Sequence, residues 1–468
     1  MGEKNAEFSK IGNERSLLIF IFLAIILLPF NDLPYFKIFG ELSGEGAFYP
    51  LLIGILIWLV FILCGQKPTI PKDPVSLLLG IFFLWVLISG IANYDSITTD
   101  MTKGRSGIEK YILQVMVLAF CLGVVLFIYN SLLSVNNYLE VIRFFILVSL
   151  VIAGIYSVIE IASLLGNDYA KNILGLIEPY IQNRPLYGRL RSVSGEASWF
   201  AMYCSFILPW IVSYIFTEEK KALYIFIASY LLVMMILTFS RTAYFIAILQ
   251  VGIVFPLILF VKTDIAEKKK LYSLVLVIII AMIAGGLLAN HISAAKTKDV
   301  ITSFANKDSS YAQSNVARLG AQMTAINMGK HSPVFGVGLG QYGFNMADYV
   351  PEWALDNYEM KRWLSSSADT AWAPVHSIYH RIFAELGLVG IFLWLSMWIW
   401  LLIKCCQRFF ISTKKYGKPD YFGMALLSSL IGVLMAGLNS DTFRFMGYWF
   451  IVAMGLLYLT RGSDTNDG

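Results

Sequence analysis

Long apolar runs separated by short polar connections make up most of the chain. A helix rising about 1.5 Å per residue needs about 20 mostly apolar residues to cross a hydrocarbon core about 30 Å thick. On that basis there are twelve candidate runs, at approximately 16–30, 48–64, 75–92, 111–129, 141–165, 197–217, 221–238, 241–261, 271–289, 382–403, 421–440 and 442–459. The first is short and the last two nearly touch, so the pattern leaves eleven to thirteen spans open. It predicts an all-α polytopic membrane protein. Spans one to nine occupy 1–289, one large connection occupies 290–375, and spans ten to twelve with a tail occupy 376–468.

Composition sharpens this reading. Hydrophobic residues make up 57% and charged residues only 14%, against about 25% charged in ordinary soluble domains. A soluble enzyme, a disordered chain and a fibrous repeat are excluded, and the mean hydropathy of +0.68 agrees. The net charge of +5 reports orientation in a membrane protein rather than a nucleic-acid partner. Cys64, Cys121, Cys204, Cys405 and Cys406 all lie in or beside apolar runs, which argues against a disulfide framework. No Cys/His spacing suggests zinc. The first apolar run leads into Asn31-Asp32-Leu33-Pro34 rather than a small-residue cleavage site, so it is not read as a signal peptide.

Lys and Arg counts in the connections set the orientation. With Lys4, Lys10 and Arg15 inside, the inner connections carry Lys67 and Lys72, Lys220 and Lys221, Lys262 and Lys268 to Lys270, and Lys404 to Lys418. Arg461 in the tail is then also inside. Two outer connections break the rule. One holds Lys103, Arg105 and Lys110, the other Lys171, Arg184, Arg189 and Arg191. Cations on the disfavoured side need another reason to be there.

The 290–375 connection falls on the outer face and is far longer than the roughly 15 residues beyond which a loop is functional or disordered. Phe304, Tyr311, Val316, Leu319, Phe335, Trp353, Trp363 and Trp372 make it a folded element. Helices are expected over 312–328, ended by Gly329 and Pro333, and over 347–364. Tyr349, Trp353, Trp363 and Trp372 offer faces on which sugar rings stack, although tryptophans beside a bilayer also anchor at its interface.

Three constellations carry candidate chemistry. The first is an outer arginine group of Arg184, Arg189, Arg191, Arg241 and Arg318. Permanently charged planar guanidinium forks match phosphate oxygens. The bland alternative is headgroup anchoring by snorkelling side chains. Arg241 resists it, because it follows Thr238-Phe239-Ser240 in a very short turn between apolar runs, where an idle charge is costly. The second is the run from Arg189 to Ala201, with Glu196 just before a span. Helix capping accounts for Ser194 and Glu196 but leaves the arginines unexplained.

The third runs from Pro374 to Gly390. His376 and His380 are four apart and share a face if both are helical. An imidazole titrating near neutrality can take a proton from a hydroxyl. Metal binding by the pair is disfavoured, because no Glu follows the first His. On a regular helix Glu385 points nearly opposite His376 and makes a poor direct partner. Gly338-Leu339-Gly340-Gln341-Tyr342-Gly343 fits a dinucleotide fingerprint but lacks the preceding strand and βαβ unit, so Gly336, Gly338 and Gly340 are read as a tight, backbone-exposed turn.

Taken in order, the Arg191-to-Ala201 segment, Ser240-Arg241, Val316-Ala317-Arg318 running to Gly340, and His376 to Gly390 resemble the bacterial O-antigen ligase and O-antigen polymerase (Wzy-type) superfamily, over roughly 185–400. The resemblance implies a GT-C-type integral glycosyltransferase of the bacterial inner membrane, with a periplasmic active site and no cofactor or metal. Its donor is a glycan on undecaprenyl pyrophosphate. By resemblance Arg191, Arg241 and Arg318 hold the pyrophosphate, with Arg189, Glu196 and His380 as further substrate contacts, and His376 is the acceptor-activating base. A co-polymerase that regulates chain length is an implied partner. Two departures stand out: Ser377 where Asn is frequent, and the additional His380. Gly195-Glu196-Ala197-Ser198 resembles the Glu-Pro-Ser element of polysaccharide polymerases and tilts the reading from ligase to polymerase. The competing classes are a lipid-linked oligosaccharide flippase, for which an inverted repeat is expected and none is visible, and an envelope scaffold.

Overall fold

The computed structural model describes residues 16–35, 37–183, 188–259, 265–302, 310–367 and 371–461. Lys4, Lys10, Arg15, Arg184, Lys262 and Phe304 lie outside them. The elements are α1 (Ser16–Leu27), α2 (Phe48–Leu63), α3 (Pro74–Ala92), a short α4 (Tyr94–Thr99), α5 (Gly107–Leu132), α6 (Tyr138–Leu164), α7 (Asp168–Ile181), α8 (Ala197–Thr217) and α9 (Lys221–Leu237). They continue with α10 (Arg241–Leu259), α11 (Ile265–Thr302), α12 (Ser310–His331), α13 (Tyr342–Asn345), α14 (Tyr358–Leu364), α15 (Ile378–Tyr416), α16 (Tyr421–Ala436) and α17 (Met446–Arg461). Among the described residues the only strands are β1 (Met101–Thr102) and β2 (Arg105–Ser106), paired antiparallel.

Every one of the twelve apolar runs contains a helix, and seven helices (α3, α5, α6, α8, α10, α11 and α15) are long and apolar enough to cross a membrane. Local chemistry sets several starts. Asp73 accepts the Val75 N–H at 2.9 Å and Pro74 follows at the first helical position, where its missing N–H costs nothing. The helix expected over 312–328 is α12. The one expected over 347–364 is instead two single 3-10 turns, Met346–Asp348 and Glu352–Ala354, followed by α14. Pro351 supplies no N–H to carry a helix through, and Asn357 caps the N–H groups of Glu359 and Met360, so the chain restarts there.

Lipid offers no hydrophobic force between helices, so close packing and polar contacts assemble them. At the centre lies α8, with 94% of its apolar window buried. It packs on α9 and α16, and Gln250 of α10 bridges the neighbours by donating to the carbonyls of Ser205 (2.8 Å) and Ser428 (3.1 Å). Elsewhere α3 packs on α15, and α5 on α17. Leu63, Ile91 and Ile248 are more than two-thirds exposed on the outside of the bundle. Such an apolar exterior is what a chain with few charges presents to acyl chains.

The 39-residue α15 is broken at Gly387, whose φ of 67° and ψ of −166° suit only glycine. The segment before α13 docks into that break. The N–H groups of Val337 and Gly338 donate to the carbonyls of Ala384 (3.1 Å) and Glu385 (2.9 Å), and the Leu388 N–H donates to Pro333 (2.7 Å). Gly336, Gly338 and Gly340 all have positive φ, as a tight turn requires, but the turn is buried rather than backbone-exposed, because it fills this break. A Cβ at Gly387 would sit 2.2 Å from the Val334 carbonyl oxygen. Gly387→Ala is therefore expected to cost about 1–3 kcal/mol from the backbone alone, with the clash adding to it. A melting temperature unchanged in detergent would show that the docked segment can shift aside.

At one end of the bundle, residues from 31–47, 93–110, 183–202, 238–245, 314–385 and 435–444 meet around three cavities, two large and one smaller. These are the connections, with the helix ends flanking them, that the alternation of spans assigns to the outer side.

Candidate active site

The first cavity, of about 880 Å³, is lined by Arg189, Arg191, Arg241, Lys296 and Arg318, with Glu196 among the remaining lining residues. Its floor begins at a left-handed turn. The carboxylate of Glu160 accepts the N–H groups of Arg191 (3.0 Å) and Ser192 (2.6 Å), and Ser192 has φ 52°. Arg191 is 3% exposed, pairs with Glu178 of α7 at 3.2 Å and donates to the Gly195 carbonyl at 3.3 Å. It ties α7 to the start of α8. Arg189 donates through Nε to the Thr238 carbonyl at 2.8 Å. Arg241 opens α10 and donates to Oδ1 of Asn315 at 2.6 Å, and Arg318 of α12 donates to Oδ1 of Asn439 at 3.0 Å. The Nε of Arg318 is buried without a hydrogen-bond partner. Burial, then repulsion from Arg241 and more weakly Arg189, holds the Arg318 guanidinium below its usual pKa, with Glu359 offsetting part of this. Guanidinium groups crowded in this way favour an anion among them.

The second cavity, of about 770 Å³, holds His376, Asp441, Glu385, Trp363 and Trp372. Glu196, Ser198, Arg318 and Asn439 line both cavities, so the two share a wall. His376 sits in the left-handed region at φ 59°, just before α15. Such a conformation persists in a non-glycine residue only when its surroundings fix it. Asp441 does so by accepting the N–H groups of Val375 (2.5 Å) and His376 (3.2 Å), while Gln322 donates to the His376 carbonyl at 3.2 Å. The Trp363 ring lies 5.6 Å from the imidazole. Behind Asp441, Arg381 donates to the Asp441 carbonyl (2.6 Å), to Gln114 (2.7 Å) and to Glu385 (3.0 Å). Glu41 is paired with Lys110; burial pushes its carboxyl up, but Lys110, Arg381 and Arg444 together overcome that and hold it at about 2.

Burial drives the His376 imidazole down to about 4, with Asp441 opposing the fall and the positive Arg318 adding to it. Its Nε2 is buried without a hydrogen-bond partner. At neutral pH the ring is neutral, and Nε2 is left with an unfilled acceptor or donor position.

The structure brings Arg189, Arg191, Arg241, Arg318, Glu196 and His376 together around these two cavities. His380 is not among them. The shared helical face expected for the two histidines does not exist, because His376 precedes the helix while His380 lies in its first turn and lines neither cavity. Capping does not occupy Glu196 either. It holds the N-cap position of α8 without a side-chain cap bond and accepts from Ser198 Oγ at 3.3 Å, while Ser194 Oγ donates to the Pro29 carbonyl. Glu385 bonds Arg381 and the Tyr342 N–H rather than His376. Of the loop aromatics, Trp363 and Trp372 reach the second cavity, and Tyr349 and Trp353 line neither. Sequence reasoning missed Asp441. Its signal was the polar run Asn439-Ser440-Asp441-Thr442 between two apolar segments.

Because Asp441 raises the His376 pKa, Asp441→Asn removes the charge while keeping an oxygen to accept the two backbone N–H groups. The acid limb of any His376-dependent activity is expected to move to lower pH, with a lower plateau from the weaker base. A pH–rate profile superimposable on that of the native chain would exclude electrostatic coupling between the two residues.

No curated protein matches the chain. Arg241, Arg318 and His376 fall inside the stretch for which a family match exists, while Arg189, Arg191, Glu196 and Asp441 fall outside it. Residues 226–395 match the family model described as O-Antigen ligase, and that match supports the O-antigen ligase/polymerase superfamily.

Proposed function

We propose that the chain is a polysaccharide polymerase that transfers a glycan from undecaprenyl pyrophosphate to a hydroxyl of another lipid-linked repeat unit at the periplasmic face of the inner membrane. The observation that supports it is the shared wall at Arg318, with an arginine-lined cavity on one side and His376 on the other. The donor pyrophosphate lies among Arg189, Arg241 and Arg318, and the acceptor sugar lies beside His376, Trp363 and Trp372. His376 takes the proton of the acceptor hydroxyl as its oxygen bonds to the anomeric carbon. The anomeric C–O bond to pyrophosphate breaks, and the arginines receive the charge that builds on the departing phosphate oxygen.

An imidazole depressed to about 4 is a weak base in the free protein. Donor binding corrects this, because a pyrophosphate anion beside Arg318 offsets the positive charge that helps depress it. The base is strengthened only when the donor is in place. Guanidinium groups serve where other transferases place a divalent cation, so chain extension is expected to survive EDTA. In a deletion strain, lipopolysaccharide or capsule capped by a single repeat supports the polymerase; long chains left on the lipid carrier beside a bare outer core support the ligase. The ligase, acting on lipid A-core, is the second reading, and the matching family supports either activity.

A further inference from the structure

The outer cations at 103–110 are not used by the reaction above, and the structure carries them to the second cavity. Lys103 (φ 53°) and Gly104 (φ 68°) form the two-residue turn between β1 and β2, the geometry that matches the twist of a hairpin. Lys103 fastens the hairpin to the 290–375 connection by donating to the carbonyls of Trp363 and Ala371, both at 2.8 Å. Arg105, two positions further on, is placed 5.1 Å from the ring of Trp372, and Lys110 stands 5.6 Å from the same ring. Trp372 is held by Phe344 edge-on at 4.9 Å and lies against the backbone of Gly343, where a Cβ would come within 2.5 Å of the indole. Arg105, Arg362, Trp363 and Trp372 all line the His376 cavity.

The acids of this cavity are already engaged. Glu41 is paired with Lys110, Glu385 with Arg381, and Asp441 with two backbone N–H groups, while Glu196 belongs to the wall shared with the arginine cavity. Among the described residues neither Arg105 nor Arg362 forms an ion pair. Lys103 registers the crowding: burial, then Arg105 and Arg362, lower its pKa. Like charges that have no ion-paired acid among the described residues, set beside two indoles, make a site for a ring with an apolar face that bears an anion.

We propose that the Trp372 side of this cavity is a subsite for an acidic sugar, a hexuronate unit of the acceptor glycan, whose ring packs against Trp372 and Trp363 and whose carboxylate is taken by Arg105 and Arg362. The word acceptor rests on the transferase reading; the anion subsite itself does not. Binding is measured on the full chain in nanodiscs by indole fluorescence and calorimetry, with digalacturonate, neutral digalactose and galactose 6-phosphate as probes. Digalacturonate is expected to bind about tenfold tighter than digalactose, with the advantage shrinking as salt rises. Arg105→Gln combined with Arg362→Gln removes that advantage and leaves digalactose affinity unchanged. Equal affinity for the two disaccharides on the native chain overturns the proposal, as does a preference that survives the double substitution. Galactose 6-phosphate competing as well as digalacturonate overturns the assignment to a carboxylate. No turnover is needed, so a failed subsite and a failed transferase are separate results, the latter read from chain extension by His376→Ala.

Discussion

Replacing His376 with Ala is expected to lower chain extension by about 10²–10⁴-fold, the contribution of a positioned general base, while binding of the lipid-pyrophosphate donor persists. Donor binding survives because the arginine cavity does not include His376. The pH dependence of the native chain separates this role from a structural one. The kcat/KM profile reports the free protein, where the imidazole is held at about 4, so its acid limb lies far into the acid range. The kcat profile reports the donor complex. If the proposed donor site holds, the pyrophosphate there offsets the charge of Arg318, so the limb of kcat is expected at higher pH than that of kcat/KM. Extension assays in nanodiscs with a lipid-linked oligosaccharide measure both limbs. Undiminished extension by His376→Ala removes the residue as base, and identical limbs in the two profiles remove the coupling through the donor.

Much of the fold was legible because lipid imposes a coarse rule: runs near 20 apolar residues become helices, and each of the twelve did. Length was less legible. The helix around 271–289 continues to Thr302 through a break at Ser293, since polar residues past the bilayer can remain helical without an apolar signal. The arginines were visible as charges in costly places, and Arg241 and Arg318 meet around one cavity although Arg241 and its bond partner Asn315 stand 74 positions apart in the chain. What the sequence hid was backbone conformation. Four-residue spacing put His376 and His380 on one face only if both were helical, and nothing local announces the left-handed turn that Asp441 holds from 65 residues away. Glu196 was hidden in the opposite way. A residue type that caps helices stood at a helix start, and only packing shows that its side chain lines the cavities instead.

Arg318→Lys is expected to reduce extension by about 10²–10³-fold, the scale seen when one preorganised donor to developing charge is removed. Arg318 spends one nitrogen on Asn439 and keeps Nε free of any hydrogen bond, so its planar fork can hold the protein and the pyrophosphate together. A lysine ammonium is a point charge and cannot reproduce both contacts. Arg241→Lys is expected to lose activity for the same reason, because one arm of its fork is committed to Asn315. Arg191 should differ. Its pairing with Glu178 and the Gly195 carbonyl ties α7 to α8, so Arg191→Lys is expected to lower the melting temperature before it lowers kcat. Charge and shape at Arg318 separate through a second substitution. Lysine keeps the positive charge that depresses His376, so the acid limb of kcat/KM stays where it is. Glutamine removes that charge, and the limb moves to higher pH as the imidazole recovers basicity. A limb that fails to move with Arg318→Gln would mean that the two cavities do not communicate through their shared wall, and normal extension by Arg318→Lys would show that the planar fork is not needed at this position.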